Sequence, residues 1–508
     1  MMDYLSLILL VFAPLIAFGV ILSPLLGDNE VFIRRFSKGF ASLHFLYSLF
    51  FLVYFDPSGY GMSYESELKI ANISWLKTLG ITATFAVDGL SLLLVILTCF
   101  IFLLALVASK SSIRTKHKFY YSMIFLLQTA VLGVFCAKDM FLLFLFWELE
   151  LIPMYFLISE WGSGNAQKSA MKFILYTFFG SIFILLGMLA LYFYSFSTNG
   201  VLTANIEMLN ISESVYPLGF QILVFLTFLI GFAVKLPIIP LHTWLPDAHC
   251  DAPTPVSMIL AAILLKMGAY GIIRFNLCIF PDIFKMLAPI LMLLAVINII
   301  FAASVAIVQK DLKKIVAYSS ISHMGIVLLG LSSLSQIGLV GAIFQLFAHG
   351  FISAGLFMIV GIVYNRCKTR DIEALSGLGA VMPNFMILSY PVAFAGAGLP
   401  LLVGFPGEIL SFVSAFSTYF SGFISAKILT VIAMFGLILS AVYILRILHG
   451  VFYTTTPDLY ANIKDIRGHQ LVIMFVLALT VIIFGIMPNA LIDIFSPLTS
   501  IIIDMLKV

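Results

Sequence analysis

Fourteen apolar stretches, each long enough to cross a lipid bilayer, limit the possible folds of this chain more than any other feature. A spanning helix needs about 20 mainly apolar residues. A window of that length finds them at 4–24, 36–55, 86–109, 118–137, 140–160, 167–195, 218–247, 254–277, 281–308, 312–331, 335–363, 384–418, 424–452 and 468–489. Only 10% of the 508 residues are charged, against about 25% in soluble proteins. The pattern excludes a secreted protein, a cytosolic enzyme and a nucleic-acid-binding protein, and it predicts an all-α integral membrane protein.

Basic residues alternate between the two ends of the predicted spans. Connections after odd-numbered spans hold 18 of the 27 Lys and Arg residues, and connections after even-numbered spans hold six. Because Lys and Arg accumulate in cytoplasmic loops, we expect the odd-numbered connections to face the cytoplasm and both termini to face away from it. The alternation never reverses, which supports the count of fourteen.

The two ends of the chain carry further apolar segments. The first stretch, from Tyr4 to Leu25, has no basic flank before it and no small-residue cleavage site. We therefore expect a retained helix and not a removed signal peptide. The apolar tail, 490–508, is short and is suited to lie along the membrane interface.

Seven of the ionisable side chains inside the predicted spans are singled out as functional candidates. They are Glu148 and Glu150 in the fifth, Lys235 in the seventh, Lys266 in the eighth, His323 in the tenth, His349 in the eleventh and Glu408 in the twelfth. A charge at the bilayer centre costs roughly 2.5–3.5 kcal/mol, so each residue is a functional candidate. The structural alternative is a helix-end side chain that reaches the interface, or a satisfied core histidine. That alternative stays open for Glu150, which lies on another helical face than Glu148, and for both histidines.

Prolines and glycines interrupt two of the spans that carry these groups. Lys235 is followed by Pro237 and Pro240, and Glu408 follows Gly-Leu-Pro at 398–400 and Pro-Gly at 406–407. Proline frees a backbone carbonyl one turn earlier, which is tolerated at membrane depth only where protein or water receives it. Two broken helices in matching positions are typical of internally repeated transporters.

The whole chain is predicted to form one polytopic membrane domain with an internal repeat. Its predicted parts are three N-terminal helices in 1–117, a first five-helix repeat in 118–280, an inverted second repeat in 281–453, and a last helix and tail in 454–508. The sequence contains no nucleotide-binding glycine loop, so we do not expect the chain itself to use ATP.

The buried ionisable groups are suited to proton transfer. No nucleophile stands beside a base, the five cysteines are scattered, and the spacing of His242, His249 and Cys250 fits no zinc site. A lysine that is paired with a carboxylate in one state and unpaired in another can bind and release a proton. We therefore predict a switch between Glu148 and Lys235. A relay through Lys266, the two histidines His323 and His349, and Glu408 would follow it.

Several motifs resemble those of the antiporter-like, proton-pumping subunits of respiratory complex I (NADH:quinone oxidoreductase), and in particular the subunit M branch. The matching stretches are AVDGLS at 86–91, WELELIPMY at 147–155, GFAVK at 231–235, LHTWLPDAH at 241–249, APT at 252–254, LLKMG at 264–268, KKIVAYSS at 313–320 and SHMG at 322–325. The resemblance covers nearly the whole chain and agrees with fourteen helices.

The resemblance implies two inverted five-helix repeats and a hydrophilic axis in the membrane plane. Glu148 and Lys235 match the family's essential Glu–Lys pair, Lys266 its central lysine, and Glu408 the glutamate of its second broken helix. His323 and His349 match histidines on the linking axis.

The resemblance also implies where the redox chemistry takes place. Flavin, iron–sulfur clusters and the quinone site belong to partner subunits, so no cofactor and no metal is expected in this chain. The expected partners are the other membrane-arm subunits, the redox-arm subunits indirectly, and lipid; no nucleic acid is expected. A bacterial cytoplasmic membrane is the expected location, with a thylakoid or organelle membrane as the alternative.

One position departs from the family pattern, and two other functions remain open. Leu401 stands where the family usually has glycine in Gly-Leu-Pro-Gly, which should stiffen or reshape the second break. The alternatives are a subunit of a multisubunit sodium/proton antiporter and the equivalent subunit of a membrane-bound hydrogenase or formate-oxidising complex.

Overall fold

The computed structural model describes residues 2–24, 27, 29–55, 70–200, 202–206, 209, 216–420, 425–453 and 455–507. Its helices are α1 (Met2–Leu22), α2 (Glu30–Tyr54), α3 (Gly89–Ser112), α4 (His117–Cys136), α5 (Met140–Leu149), α6 (Leu151–Ser159), α7 (Ala166–Asn199), α8 (Leu218–Lys235), α9 (Trp244–Asp251), α10 (Thr254–Leu277), α11 (Pro281–Val308), α12 (Leu312–Ser332), α13 (Gln336–Cys367), α14 (Pro383–Gly396), α15 (Gly404–Ser417), α16 (Ala426–Phe452), α17 (His469–Ile486) and α18 (Asn489–Lys507). Short helical turns lie at Lys77–Leu79, Ile372–Ala374, Leu378–Val381 and Asp458–Tyr460.

The fourteen predicted spans are present as helices. Within the described residues, thirteen helices are long and apolar enough to cross a membrane, and twelve of them coincide with predicted spans. The first predicted span is α1, whose apolar part Ser6–Leu22 is shorter. The twelfth consists of two 14-residue halves, α14 and α15. The one long apolar helix among the thirteen that matches no predicted span is the tail helix α18.

Contacts between connections confirm their predicted alternation. Arg34 after the first span donates to the Ile113 carbonyl after the third at 2.9 Å. Arg446 at the end of the thirteenth span donates to the Gln309 carbonyl after the ninth at 2.7 Å. Arg370 after the eleventh span donates to a carbonyl after the seventh. The basic connections therefore meet at one end of the molecule.

The tail helix α18 lies across the ends of other helices. Backbone atoms of Ile494 and Phe495 pack directly on Gly89, the first residue of α3. Ser500 accepts a hydrogen bond from Gln336, the first residue of α13, at 2.7 Å. Both helices begin at the end predicted to face away from the cytoplasm. This placement supports the interfacial position predicted for the tail, although the helix is long enough to span.

The seventh span is broken immediately after Lys235, and a buried asparagine closes the break. Residues 236–243 are not helical between α8 and α9. Asn298 of α11 accepts from the Ile239 N–H at 2.8 Å and donates to the Pro237 carbonyl at 3.2 Å. The indole N–H of Trp244 donates to the Val234 carbonyl at 2.9 Å. The irregular backbone is thus satisfied inside the protein, as membrane depth requires.

Three further features were not predicted. The fifth span is also broken, between α5 and α6, where Pro153 offers no N–H to the Leu149 carbonyl. The α10 helix contains two π-helical segments, Leu260–Leu264 and Ile272–Leu277, on either side of Lys266. An antiparallel hairpin of β1 (Ile70–Leu76) and β2 (Ile81–Phe85) covers the end of α3 and α4. The π-helical segments and the hairpin depend on contacts that a hydropathy window does not register.

Candidate functional site

Lys235 is held by an ion pair that is completely buried. The lysine ends α8 with 1% of its surface exposed, and Glu150, at the junction of α5 and α6, is 0% exposed. The Nζ atom of Lys235 pairs with Oε1 of Glu150. The rings of Trp147 and Phe173 lie 5.4 and 5.5 Å from the same nitrogen. An aromatic enclosure therefore shields the pair, which strengthens its electrostatic attraction.

The pairing differs from the sequence prediction. Glu148, the predicted partner, is partly buried, within electrostatic range of Lys235 and close to the Ser181 hydroxyl. Its Oε1 atom makes no hydrogen bond within the described residues. The direct partner is Glu150, which is fully buried, so the alternative left open for it, a side chain that reaches the interface, is excluded. Glu150 keeps helical dihedral angles at the junction of α5 and α6 (φ −67°, ψ −25°), so the packing of the surrounding helices brings this carboxylate, and not that of Glu148, against Lys235.

The signal for the break between α5 and α6 was present in the sequence. Pro153 lies four residues after Leu149, and a proline ring both clashes with that carbonyl and fails to donate to it. A helix break at Glu150 follows from this spacing.

Lys266 lies in the fully buried centre of α10. Its Nζ atom donates to the Ala261 carbonyl at 2.7 Å, within the first π-helical segment, and lies 2.6 Å from Nδ1 of His349. π-Helical segments often occur at functional sites, since the extra residue redirects side chains and backbone groups. Here the segment and His349 together hold a buried amine that forms no ion pair with any carboxylate among the described residues.

The predicted relay residues lie next to one another in the structure. The rings of His349 and His323 are 5.7 Å apart, and Nδ1 of His323 lies 3.5 Å from Oε1 of Glu408. The Gln345 amide is 3.2 Å from the same His323 nitrogen. Four predicted residues from α10, α13, α12 and α15 thus form one buried row, Lys266–His349–His323–Glu408, which we call the central row.

The carboxylate of Glu408 depends on the second helix break. Gly398 has a φ of +70°, and a methyl group there would overlap the Glu408 carboxylate. Leu401, at the position where the sequence departs from the family pattern, also adopts a left-handed φ of +70°. Position 401 therefore keeps a left-handed conformation that favours glycine, although leucine occupies it.

His249 is a buried residue whose position the sequence analysis missed. Neither ring nitrogen makes a hydrogen bond within the described residues, and the ring stacks on Phe357 at 4.6 Å. It interacts electrostatically with Lys266 and Lys313. The described residues contain no group of three or more His, Cys, Asp or Glu side chains that could hold a metal ion.

The two groups of charges are separated by apolar contacts. Phe232 and Leu236 pack against Gly268 and Gly271 of α10, where a methyl group would overlap them. In the part of the chain that the structure describes, no hydrogen bond joins Lys235 to Lys266. The site therefore consists of the Lys235–Glu150 pair and the central row, side by side.

Comparisons with known proteins give consistent results along the chain. A family described as "NADH:quinone oxidoreductase/Mrp antiporter, TM" matches residues 137–433, and one described as "NADH-ubiquinone oxidoreductase chain 4, amino terminus" matches residues 37–134. NAD(P)H-quinone oxidoreductase chain 4 1 of Nostoc sp. is 41% identical over 473 residues, covering 92% of this chain and 85% of the relative.

Solved structures share the fold. A chain of respiratory complex I from Thermus thermophilus with bound NADH superposes with a TM-score of 0.86 at 27% identity, covering 98% of this chain and 99% of that one. A chain of the Mrp complex from Dietzia sp. superposes with a TM-score of 0.84 at 20% identity, over 98% and 97% of the two chains. The second similarity shows the fold alone.

Proposed function

Because this chain belongs to the NAD(P)H-quinone oxidoreductase chain 4 family, we propose that it moves protons across the membrane within a multisubunit oxidoreductase. Electron transfer to quinone then takes place in partner subunits, which hold the flavin and iron–sulfur clusters. This chain contributes the proton path. Its partners are the neighbouring antiporter-like subunits of the membrane arm, and its location is a bacterial cytoplasmic membrane or, as the alternative, a thylakoid or organelle membrane.

The central row is the observation that carries the proposal. A proton on Lys266 can pass to Nδ1 of His349 across 2.6 Å, breaking one N–H bond and forming another. Ordered water completes the step between the two histidine rings, and the proton then reaches Glu408 from His323. Each transfer moves a proton and no electron, which fits a subunit that couples to redox chemistry elsewhere.

The Lys235–Glu150 pair acts as the switch for this row. While the pair is closed, the carboxylate stabilises the charged lysine, and removing either partner from a buried pair is strongly unfavourable. Moving Glu150 away leaves Lys235 as a buried, unpaired acid that can release its proton, which ordered water then carries past the apolar contacts to Lys266. Glu148, within electrostatic range, provides a second carboxylate position for the lysine. The pair thus has two states whose balance a neighbouring subunit can shift.

The proposal is tested by purifying the assembly through a tag on this chain. We expect flavin and iron–sulfur subunits, with NAD(P)H-dependent quinone reduction that acidifies or alkalinises the lumen of proteoliposomes. Lys235→Ala and Lys266→Ala should each abolish most of the pH gradient while the complex still assembles. An unimpaired gradient in Lys235→Ala would refute the switch.

A second candidate function follows from the fold that this chain shares with a chain of the Mrp complex. The similarity to the Mrp complex chain makes a subunit of an ion antiporter the alternative. Copurification of small membrane proteins without any redox centre would favour it. A nickel–iron subunit would instead indicate a hydrogenase-type complex.

A further inference from the structure

A row of buried hydroxyl groups continues from Glu408 along α15. Ser411 and Ser414 follow the glutamate at three-residue intervals and are buried. Each interval advances about 4.5 Å along a helix and keeps neighbouring side chains on one face. The hydroxyls therefore lead away from the central row toward the end of α15.

The outer part of this hydroxyl row is connected by direct hydrogen bonds. Ser414 donates to Ser333 at 2.6 Å, and its hydroxyl is also hydrogen-bonded to that of Ser335. Thr418 donates to the Ser333 carbonyl at 3.0 Å. Ser335 is partly exposed and precedes the exposed Gln336. The row Ser411–Ser414–Ser335, with Ser333 also bonded to Ser414, thus reaches the surface where α12 ends and α13 begins.

Glycines keep this row between helices and away from lipid. A Cβ atom at Gly330 or at Gly341 would lie 2.8 Å from the Ser411 hydroxyl, and one at Gly338 would lie 2.6 Å from that of Ser414. Because these three residues have no side chain, α12 and α13 pack closely around the serine face of α15. Ser417 on the same helix is exposed and bonds only locally, to Val413.

Hydroxyl groups can both donate and accept hydrogen bonds, so a chain of them can conduct a proton. We propose that the hydroxyl row, with a bridging water at each gap, is the path by which Glu408 releases its proton to the membrane side at which α13 begins. Basic residues predict that this side faces away from the cytoplasm. The inference rests on the proposed function.

The transfer balances without any other reactant. The Glu408 proton passes to a bridging water, which passes one of its own protons to the Ser411 oxygen. Each hydroxyl then hands its original proton to the next oxygen, and the last proton leaves from Ser335 to bulk water. Every O–H bond that breaks is replaced, and no electron moves.

The test removes hydroxyls from the row in the assembled complex. In proteoliposomes, Ser411→Ala/Ser414→Ala should lower the rate of quinone-driven proton movement about tenfold, as expected when a charge-transfer step loses hydrogen bonds worth over 1 kcal/mol. Ser335→Ala removes the last hydroxyl of the path, outside α15, and covers the case in which the α15 variant does not assemble. Ser417→Ala is the matched control and should retain the wild-type rate.

A solvent isotope experiment separates proton conduction from packing. In D2O, variants of the row should slow more than the wild type, since proton transfer now limits the rate, whereas a purely packing role leaves the isotope ratio unchanged. Wild-type rates in assembled Ser411→Ala/Ser414→Ala overturn the exit path. Glu408→Gln is measured in parallel: if it pumps normally, the relay of the proposed function fails, and if only Glu408→Gln is inactive, the relay stands and the exit path fails.

Discussion

At the scale of single residues, the partner of Lys235 decides how the switch works. Two carboxylates two residues apart normally point to opposite sides of a helix. Glu150 keeps helical dihedral angles, and the packing of the fold gives it the buried contact with Lys235. Lys235 therefore contacts the carboxylate of Glu150, and a second carboxylate, that of Glu148, lies within electrostatic range.

We expect Glu150→Gln to be more destabilising than Glu148→Gln. Loss of one partner from a buried ion pair costs about 3–5 kcal/mol, so Glu150→Gln should reduce both thermal stability and proton pumping. Glu148→Gln should reduce pumping with a smaller loss of stability. Thermal unfolding of the purified complex, alongside pumping in proteoliposomes, measures both effects.

A control for this comparison is the ion pair of Lys116 and Glu160, which is not enclosed by the protein. Exposed pairs contribute about 0–1 kcal/mol, and Glu160→Gln should change little. An equal loss in Glu148→Gln and Glu150→Gln would contradict the assignment of the direct pair to Glu150.

Leu401 shows what a single departure from a family pattern does. Its left-handed φ of +70° is unfavourable for any residue with a Cβ atom, by about 1–2 kcal/mol. The residue is 69% exposed, so replacing its side chain removes little buried apolar surface. We expect Leu401→Gly to raise the free energy of unfolding by about 1 kcal/mol, measured by thermal or denaturant unfolding.

The neighbouring Leu399 provides the control for that substitution. It is half-exposed as well, and its φ is not left-handed, so Leu399→Gly should destabilise. If Leu401→Gly also destabilises, the backbone strain assigned to position 401 is wrong.

At the scale of elements, the broken helices depend on side chains from other helices. Asn298 satisfies two backbone groups of the break after Lys235. Asn298→Ala leaves the buried Pro237 carbonyl and the partly buried Ile239 N–H without this partner, and an unpaired buried group costs about 1–3 kcal/mol. We expect lower thermal stability and slower pumping, because the same break positions Lys235.

The matched control lies on the same helix. Ser304 is exposed, and its hydroxyl bonds only to the Ile300 carbonyl of its own helix. Ser304→Ala should therefore behave as wild type. An Asn298→Ala variant with unchanged stability would show that the break is held by backbone packing alone.

At the scale of the whole molecule, a buried charge cluster joins distant parts of the fold. Asp88, before α3, pairs with Arg274 of α10 and lies 3.7 Å from Lys138, between α4 and α5. Burial raises the pKa of Asp88, but the charges of Arg274 and Lys138 outweigh this and hold the pKa well below its usual value. The carboxylate therefore stays ionised throughout the physiological range.

The lowered pKa of Asp88 determines how its contribution to stability changes with pH. A carboxyl whose folded-state pKa is lowered stabilises the folded state above its unfolded pKa, near 3.9, and loses that contribution as the pH falls toward the folded pKa. Between pH 5 and 8 we expect Asp88→Asn to be less stable than the wild type by a constant amount. Unfolding temperatures across this range measure the difference, and a difference that disappears at pH 5 would contradict it.

The number of spans, their alternating direction and the buried ionisable residues could all be predicted from the sequence. Apolar length and the positions of Lys and Arg depend only on local composition, because the bilayer selects on each segment separately. The same holds for the breaks of the seventh and twelfth spans, where proline removes a hydrogen bond within one turn. The central row was predicted as a set of residues but not as a sequence of contacts.

The tertiary structure decided which carboxylate meets Lys235, where the π-helical segments lie, and how the serines between α12 and α13 meet those of α15. These outcomes depend on which helices pack together and on the glycines between them, and neighbours in space need not be neighbours in the chain. A buried charge selects its partner by distance in the folded protein, since electrostatic energy in a low-dielectric interior falls with separation. Spacing along the sequence therefore identifies the candidates, and packing selects among them.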